Sequence, residues 1–385
     1  EPPKNGQLTV VPDEGTAMNT TFFLQTTGWV DDASDYPLLY TMSSYTVSSI
    51  RLSNIRGSST MTYVDNVLLG QGLSSYSYVV TCVVKASDRY GGSATATTTV
   101  TVLPMPNPIA TITASLDNQL ENAFSETDLS LVSQVIAAAT TALNAVDCSS
   151  LPTNIWSCAD IGRENCMNTP NTCGSCLSGY LGVGGDANTR CSSVELVSSR
   201  RQLANTLLPL GASCASDGDC MSALCEYMSG ELVGSCSDTP KKCPNGCNAA
   251  TGDGACVYYG KDNLLVEECT VGDAYCAAYC QCSGSKYGSD CSLSLNEYES
   301  VLSARESMCV GIHKTLLLQD PTEDFIVSTA VSIATLYQDM SQISVFAQLN
   351  CTLALTSLIE GNLDGGIIGV NTAVDDALFD AVSAC

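Results

Sequence analysis

The sequence has little of what nucleic-acid binding, membrane insertion or histidine chemistry would need. Its 385 residues include 15 Lys and Arg against 40 Asp and Glu, and a single histidine. Because no basic stripe is available to pair with phosphates, nucleic acid is excluded as a partner. No run of 18 or more apolar residues occurs, so we expect no direct membrane insertion by this chain.

Groups that could perform catalysis are equally sparse. The lone histidine, His313, lies between Ile312 and Lys314 in a predicted helix, where such a residue usually serves packing or solubility. Neither a G-x-S-x-G motif nor a phosphate-binding loop is present. With no group in a defined catalytic role, we predict that the protein is not an enzyme.

Cysteine, by contrast, is abundant and unevenly placed. Of 22 cysteines, one precedes residue 148, eighteen lie between 148 and 291, and three follow. Such density indicates an oxidising compartment, because cytosolic thiols stay reduced, and it predicts an extracellular or cell-surface protein. Zinc is the alternative, since Cys173-x2-Cys176 has knuckle spacing. The other spacings are irregular and no histidine lies nearby, so we expect disulfides.

The chain starts at Glu1 without an initiator methionine or a signal-peptide pattern. We therefore expect a mature segment or one piece of a longer protein.

Residues 1–104 have the pattern of an all-β module. Six or seven short runs rich in Thr, Ser, Val and Tyr alternate with Gly, Asn, Asp or Pro, which favours an immunoglobulin-like (Ig-like) sandwich. Its predicted core includes Trp29, Tyr40, Val80, Val83 and Val100.

The hydrophobic period changes to that of helices on both sides of the cysteine-rich region. Three prolines within residues 102–108 end the strand pattern, and apolar residues then recur at three- and four-residue intervals from Leu129 to Leu143. This predicts one amphipathic helix. From 293 onward the helical period returns, broken near Pro321 and at Gly365-Gly366.

The last eight cysteines of the dense region carry a family resemblance. Cys280-x-Cys282-x8-Cys291, with Gly288 before the last cysteine, follows Cys243-x3-Cys247-x8-Cys256. This stretch resembles an EGF or tenascin-type module. The resemblance implies the pairs Cys243–Cys256, Cys247–Cys280 and Cys282–Cys291, with Cys269–Cys276 closing an inserted loop. The acidic pattern of calcium-binding EGF modules is absent from residues 239–242, so calcium is not expected there.

The neighbouring cysteines are less informative. Cys214, Cys220, Cys225 and Cys236 resemble the small four-cysteine repeats of secreted proteins, which implies Cys214–Cys225 and Cys220–Cys236. The connectivity from Cys148 to Cys191 stays open, as does the pairing of three late cysteines: Cys309, Cys351 and Cys385.

The N-terminal module contains several short motifs: Gly15-Thr16-Ala17, Gly28-Trp29 followed by Asp31-Asp32, Pro37-Leu38 followed by Tyr40, and VVKASDRYGGSATATTTVTV as its closing strands. With these features it resembles a receptor-for-egg-jelly (REJ) module of the polycystin family, with closing strands like those of the related PKD repeat. Members of this group often have cysteines near the positions of Leu8 and Thr26. Their joint absence leaves Cys82 without an obvious partner, as a buried free thiol or a bridge to another module or chain.

Two smaller features concern binding and modification. Asp31, Asp32 and Asp35 form a tight acidic run on a predicted loop, which could hold calcium weakly through carboxylates. A solvated turn is the preferred interpretation, and we expect no resident cofactor. Asn19-Thr20-Thr21 and Asn350-Cys351-Thr352 are acceptor sequences for N-glycosylation.

The predicted architecture is multi-domain: an all-β Ig-like sandwich, small disulfide-rich EGF-like modules, and a C-terminal helical segment. The segments are 1–104 for the REJ/PKD sandwich, 105–147 for a linker and helix, 148–192 for the first cysteine module, 193–212 for a linker, 213–240 for the four-cysteine module, 241–292 for the EGF-like module and 293–385 for the helices. The three cysteine-rich modules are too small to fold on apolar burial alone. Disulfides, each contributing about 2–4 kcal/mol, take the place of a core.

This combination resembles large extracellular proteins of algae and other protists, including cell-surface and flagellar-hair proteins. In those families such modules are adhesive or structural spacers. The resemblance implies contacts with copies of itself or with other matrix or cell-surface proteins, and possibly with glycans. The alternative is an ectodomain fragment of a polycystin-like receptor that binds a glycan or protein ligand.

Overall fold

The chain folds into two compact units, of which the first is discontinuous in sequence. Unit one comprises Glu1–Ala145 with Asn296–Cys385, and unit two comprises Val146–Leu295. The computed structural model describes all residues except 48–51, 107, 126–128, 147, 149–156, 168–171, 182–189, 194–207, 209–210, 216–218, 221–224, 227–233, 238–239, 242, 263, 271–274, 319–321, 338, 366–373, 375–377, 379–380 and 383–385. Cys385 therefore lies outside the described residues. The predicted order of sandwich, disulfide-rich region and helices is confirmed.

Unit one begins with two β-sheets. Their strands are β1 (Gln7–Val11), β2 (Glu14–Thr16), β3 (Thr21–Thr27), β4 (Leu39–Tyr45), β5 (Ser53–Ser59), β6 (Tyr63–Leu68), β7 (Val79–Ser87) and β8 (Ser93–Leu103). One sheet has the order β1-β3-β6 and the other β2-β8-β7-β4-β5. Only β2 and β8 pair in parallel among these strands. Strand β6 is an edge strand of the first sheet and β5 is an edge strand of the second.

Alternation of side chains builds the sandwich core. Along β3, every second residue of Thr21–Thr27 is buried, and Phe22 and Leu24 enter the core while Phe23 faces solvent. The core cluster draws on both sheets: Leu8, Phe22, Leu24, Tyr40, Met42, Ile55, Val67, Val80, Cys82, Val84, Val100 and Val102 are among its members. Of the predicted core residues, Tyr40, Val80, Val83 and Val100 are buried, and Trp29 is partly buried against the cluster.

Two helices follow the sandwich, where the sequence pattern predicted one. These are α1 (Pro108–Ser125) and α2 (Leu129–Leu143). The missed helix begins at Pro108, whose fixed φ and missing N–H suit the first helical position. Its buried residues Ile112, Leu116 and Leu120 recur every four positions. The prolines that end β8 thus also start a helix.

The C-terminal helices complete unit one. They are α3 (Leu295–Leu316), α4 (Glu323–Leu336) and α5 (Val345–Gly365), and Val374, Leu378 and Ala381 beyond them are helical and buried. These residues share a second core cluster with α1 and α2. A Cys309–Cys351 disulfide joins α3 to α5. Helices α1 and α2 therefore share one core with α3, α4 and α5, which lie far from them in the sequence.

Unit two contains short strands tied by disulfides. Its strands are β9 (Tyr180–Leu181), β10 (Ser192–Ser193), β11 (Ser213–Cys214), β12 (Cys225–Glu226), β13 (Gly234–Cys236), β14 (Gly254–Gly260), β15 (Leu265–Val266), β16 (Cys276–Cys282), β17 (Lys286–Tyr287) and β18 (Leu293–Ser294). The largest sheet has the order β15-β14-β16. Among the helices of the described residues, none has both the length and the apolar character needed to cross a bilayer.

Candidate functional site

The cysteines of unit two are joined within each module. In the third module the bonds are Cys243–Cys256, Cys247–Cys280, Cys269–Cys276 and Cys282–Cys291, the same four pairs that the EGF resemblance implies. In the second they are Cys214–Cys225 and Cys220–Cys236, again the pairs the resemblance implies. The first module, left open by the sequence, has Cys148–Cys166, Cys158–Cys173 and Cys176–Cys191.

Cys82 is the one free cysteine among the described residues, and it is fully buried on β7. Burial in the apolar sandwich raises the pKa of its thiol to about 12. A thiol in this state has almost no thiolate at neutral pH, and thiolate is the reactive form. Cys82 is therefore a packing residue of the core.

A buried glutamine closes the open side of the sandwich. The side chain of Gln134 on α2 donates from Nε2 to the Ile55 carbonyl at 2.8 Å and accepts from the Leu68 N–H at 2.9 Å. Ile55 is on the edge strand β5 and Leu68 ends the edge strand β6. The amide thus satisfies backbone groups that exposed strand edges leave unpaired. This role of Gln134 could not be predicted from the sequence, because a glutamine on a helix gives no local signal that it bonds to strand edges.

A buried arginine ties three helices together. Arg305 on α3 donates to the Leu336 carbonyl and to Asn144 Oδ1, both at 2.6 Å, and Asn144 in turn donates to the Thr335 carbonyl. Burial lowers the pKa of Arg305 to about 10, while the charge of Asp339 opposes the shift. The guanidinium lies where α2 and α4 end, and helix C-termini favour a cation. Its role is structural.

The acidic loop, residues 31–35, lies between strands β3 and β4. The carboxylates of Asp31, Asp32 and Asp35 have ligand atoms within 4.8 Å of one another. Asp31 Oδ1 accepts from the Asp32 N–H at 2.9 Å, which is the self-bonding expected of a turn. Asp31 Oδ2 has no hydrogen-bond partner among the described residues. The loop has the form of an Asp-rich turn with carboxylates close enough to share a cation.

Two sheet faces expose aromatic and aliphatic side chains, one in each unit. We call the first the sandwich patch: Val11, Phe23 and Tyr63 on the solvent side of β1-β3-β6. Val11 and Phe23 are register partners, and the Phe23 and Tyr63 rings stack with centroids 5.9 Å apart. All three side chains are exposed. Their exposure is specific to this side of the sheet, since the other side packs into the core.

The second face, the module-three face, lies on β15-β14-β16 and comprises Tyr259, Leu265 and Tyr279. Leu265 pairs with Tyr259 across the strands, and the Tyr259 and Tyr279 rings meet edge-on at 5.9 Å. Leu265 is 66% exposed and Tyr279 is 55% exposed. The opposite side of the sheet carries cysteines that pack on the disulfide cluster. Contiguous exposed apolar side chains of this kind mark interaction surfaces.

The two sequons lie in different settings. Asn19 is exposed in the turn between β2 and β3. Asn350 is half-buried on α5, where its Nδ2 donates to the Phe346 carbonyl at 2.9 Å. Both remain predicted sites of glycosylation.

Comparison with known families decides the nature of the N-terminal module. Residues 1–138 match the family model of the REJ domain. This module is a REJ domain. The match continues through α1 and into α2, so the helices that cap the sandwich belong with it. Neither the curated proteins nor the solved structures contain a significant match to the chain.

The structure explains two sequence features of the REJ domain. Leu8 and Thr26, at the positions where relatives often have cysteines, are direct register partners on β1 and β3. Thr26 instead accepts a hydrogen bond from Trp29 Nε1 at 2.6 Å. The Trp29 ring lies over Gly6, where an added Cβ would lie 2.0 Å from a ring atom. A REJ domain together with the ten disulfides of the described residues is consistent with an extracellular protein.

Proposed function

We propose that this chain is a non-catalytic, adhesive or structural segment of a cell-surface or filamentous extracellular assembly. Its partners are copies of itself or other matrix and cell-surface proteins. The observation that carries the proposal is the module-three face, an exposed apolar and aromatic surface on a module held by four disulfides.

The chemistry of this face suits a protein contact. Tyr279 and Leu265 present large apolar area on a sheet stiffened by cross-links, so little conformational entropy is lost when a partner covers them. Tyrosine is enriched in protein interfaces because it combines an apolar ring with a polar hydroxyl. Lys261, whose Nζ lies 5.2 Å from the Tyr275 ring centroid, provides a cation beside the face in a chain of net charge −25. An acidic partner surface, such as another copy offers, would be attracted locally there.

The groups that could suggest catalysis have structural explanations. Cys82 is inaccessible and Arg305 holds helix ends together. The carboxylates of the acidic loop bond to their own turn. These roles support a binding function over a chemical one.

The proposal is tested by sedimentation velocity and negative-stain electron microscopy of the full chain. We expect concentration-dependent assembly that is strongly weakened by the double change Leu265→Ser and Tyr279→Ser. Tyr90→Ser is the matched control, because Tyr90 is 71% exposed on a hairpin outside both faces. A chain that stays monomeric across protein and calcium concentrations, and binds no matrix protein through this face, would refute the proposal.

The sandwich patch favours a second candidate, a receptor ectodomain that recognises a glycan or protein ligand. Stacked Phe23 and Tyr63 rings offer a flat apolar platform flanked by polar Gln25, which pairs with Tyr63 in register. In a screen of immobilised glycans and surface proteins, ligand binding that is lost in Phe23→Ser but retained in Leu265→Ser would support the receptor. If neither Phe23→Ser nor Leu265→Ser loses ligand binding, the receptor function of the sandwich patch is refuted.

A further inference from the structure

One helix of unit one exposes an apolar strip that no described residue covers. We call Val345, Phe346, Leu349 and Leu353 the α5 strip. They are 81%, 55%, 56% and 45% exposed, respectively. Phe346, Leu349 and Leu353 follow Val345 by one, four and eight positions. Because successive residues of an α-helix are rotated by about 100° around its axis, these side chains lie on one side of the helix. The opposite side, with Ala347, Cys351 and Ala354, is buried in the helical core.

Asn350 borders this strip. It follows Phe346 by one turn, which places the two about 40° apart around the helix axis. Its Nδ2 lies 2.9 Å from the Phe346 carbonyl oxygen, and the side chain is half-buried at the margin between the strip and the core. A group attached at Nδ2 would therefore emerge beside the Phe346 ring.

We propose that Asn350 carries an N-linked glycan whose first sugars lie over the α5 strip and keep it from contact with other chains. The inference rests on the proposed extracellular role, because the transfer takes place during secretion. Asn350-Cys351-Thr352 meets the sequence requirement. A second copy is the competing occupant of the strip. The position of the sequon favours the glycan over a second copy, because Asn350 lies one turn from Phe346 at the margin of the strip.

The modification is chemically compatible with the helix. Nδ2 forms a bond to the anomeric carbon of the first sugar, and the bond from that carbon to the pyrophosphate of a lipid-linked oligosaccharide donor breaks. Nδ2 loses one of its two protons, and the lipid pyrophosphate leaves with the bonding electrons. The proton that remains on Nδ2 can still be donated to the Phe346 carbonyl.

The test uses the full chain secreted from a eukaryotic host. Mass spectrometry of the peptides that contain Asn350 and Asn19 is expected to show a glycan at Asn350, with Asn19 as the internal reference. Asn350→Gln is expected to raise binding of the hydrophobic dye ANS several-fold and to cause self-association, and an added Phe346→Ser change should reverse both. Asn19→Gln, which borders no such strip, should change neither. Enzymatic removal of the glycan from the folded protein gives the same comparison without a variant that could misfold.

Several results would overturn the inference. If Asn19 carries a glycan and Asn350 does not, the inference about Asn350 is refuted and the extracellular role stands. If neither residue carries a glycan and the cysteines are also reduced, both the inference and the extracellular role are refuted. A glycan at Asn350 whose removal leaves ANS binding unchanged refutes the shielding role. Dimerisation of the glycosylated protein that Phe346→Ser abolishes would assign the strip to a second copy.

Discussion

Replacing Gln134 by methionine is expected to destabilise unit one by about 3 kcal/mol, because a buried backbone group without a partner costs about 1–3 kcal/mol. Methionine matches glutamine in length and fills the same space, so packing changes little. It removes the donor to the Ile55 carbonyl and the acceptor for the Leu68 N–H. Ile55 is 2% exposed, so its carbonyl cannot reach water.

The magnitude follows from the two positions. We take about 2 kcal/mol for the Ile55 carbonyl and about 1 kcal/mol for the Leu68 N–H, which is at a part-buried site and can be hydrated in part. For an m value of about 2 kcal/mol per molar urea, the unfolding midpoint falls by about 1.5 M.

Urea unfolding followed by Trp29 fluorescence measures this change. Trp156, the other tryptophan, is replaced by phenylalanine in every sample so that Trp29 alone reports on the sandwich. Gln119→Met on α1 is the matched control, because Gln119 Oε1 has no hydrogen-bond partner among the described residues. A midpoint shift no larger than that of the control would refute the role assigned to Gln134.

Cys82 should resist a thiol-specific label at pH 8 in the native protein and react once the protein is unfolded; rapid native labelling would contradict its burial. Its pKa is raised from 9.0 to about 12 in the folded state, so its contribution to stability is complete below pH 9 and is lost as the pH rises towards 12. Calcium at millimolar concentration should leave the melting temperature unchanged, because the acidic loop is interpreted as a turn. A site with a Kd one hundred-fold below the calcium concentration would instead add about 2.7 kcal/mol, and a rise in melting temperature that Asp31→Asn abolishes would establish such a site.

Short-range sequence patterns were sufficient to predict the strands and helices whose hydrophobic period is regular. The alternation in β3 places Phe22 and Leu24 in the core whatever the rest of the chain does, since successive side chains point to opposite faces. The spacing from Leu129 to Leu143 likewise predicted α2. The missed α1 shows the limit, because a proline that ends a strand pattern can equally be the first residue of a helix, as Pro108 is.

The module-three face and the sandwich patch could not be predicted from the sequence. Tyr259, Leu265 and Tyr279 look like ordinary strand residues, and their exposure depends on which face of the sheet the disulfides occupy. Phe23 and Tyr63 are forty residues apart and meet only because β3 pairs with β6. Exposure and aromatic contact are properties of packing, which no local period encodes.

The sequence by itself therefore indicated the class of protein: cysteine density predicted an oxidising compartment, period-two and helical patterns predicted the elements, and the motifs of the N-terminal module pointed to the REJ domain. Only the tertiary structure decided how distant parts combine. It joined α1 and α2 with α3, α4 and α5 into one core, linked the edges of two sheets through Gln134 and buried Arg305 against helix ends. The physical reason is that backbone periodicity acts over a few residues, whereas satisfying a buried polar group depends on whatever the fold brings beside it.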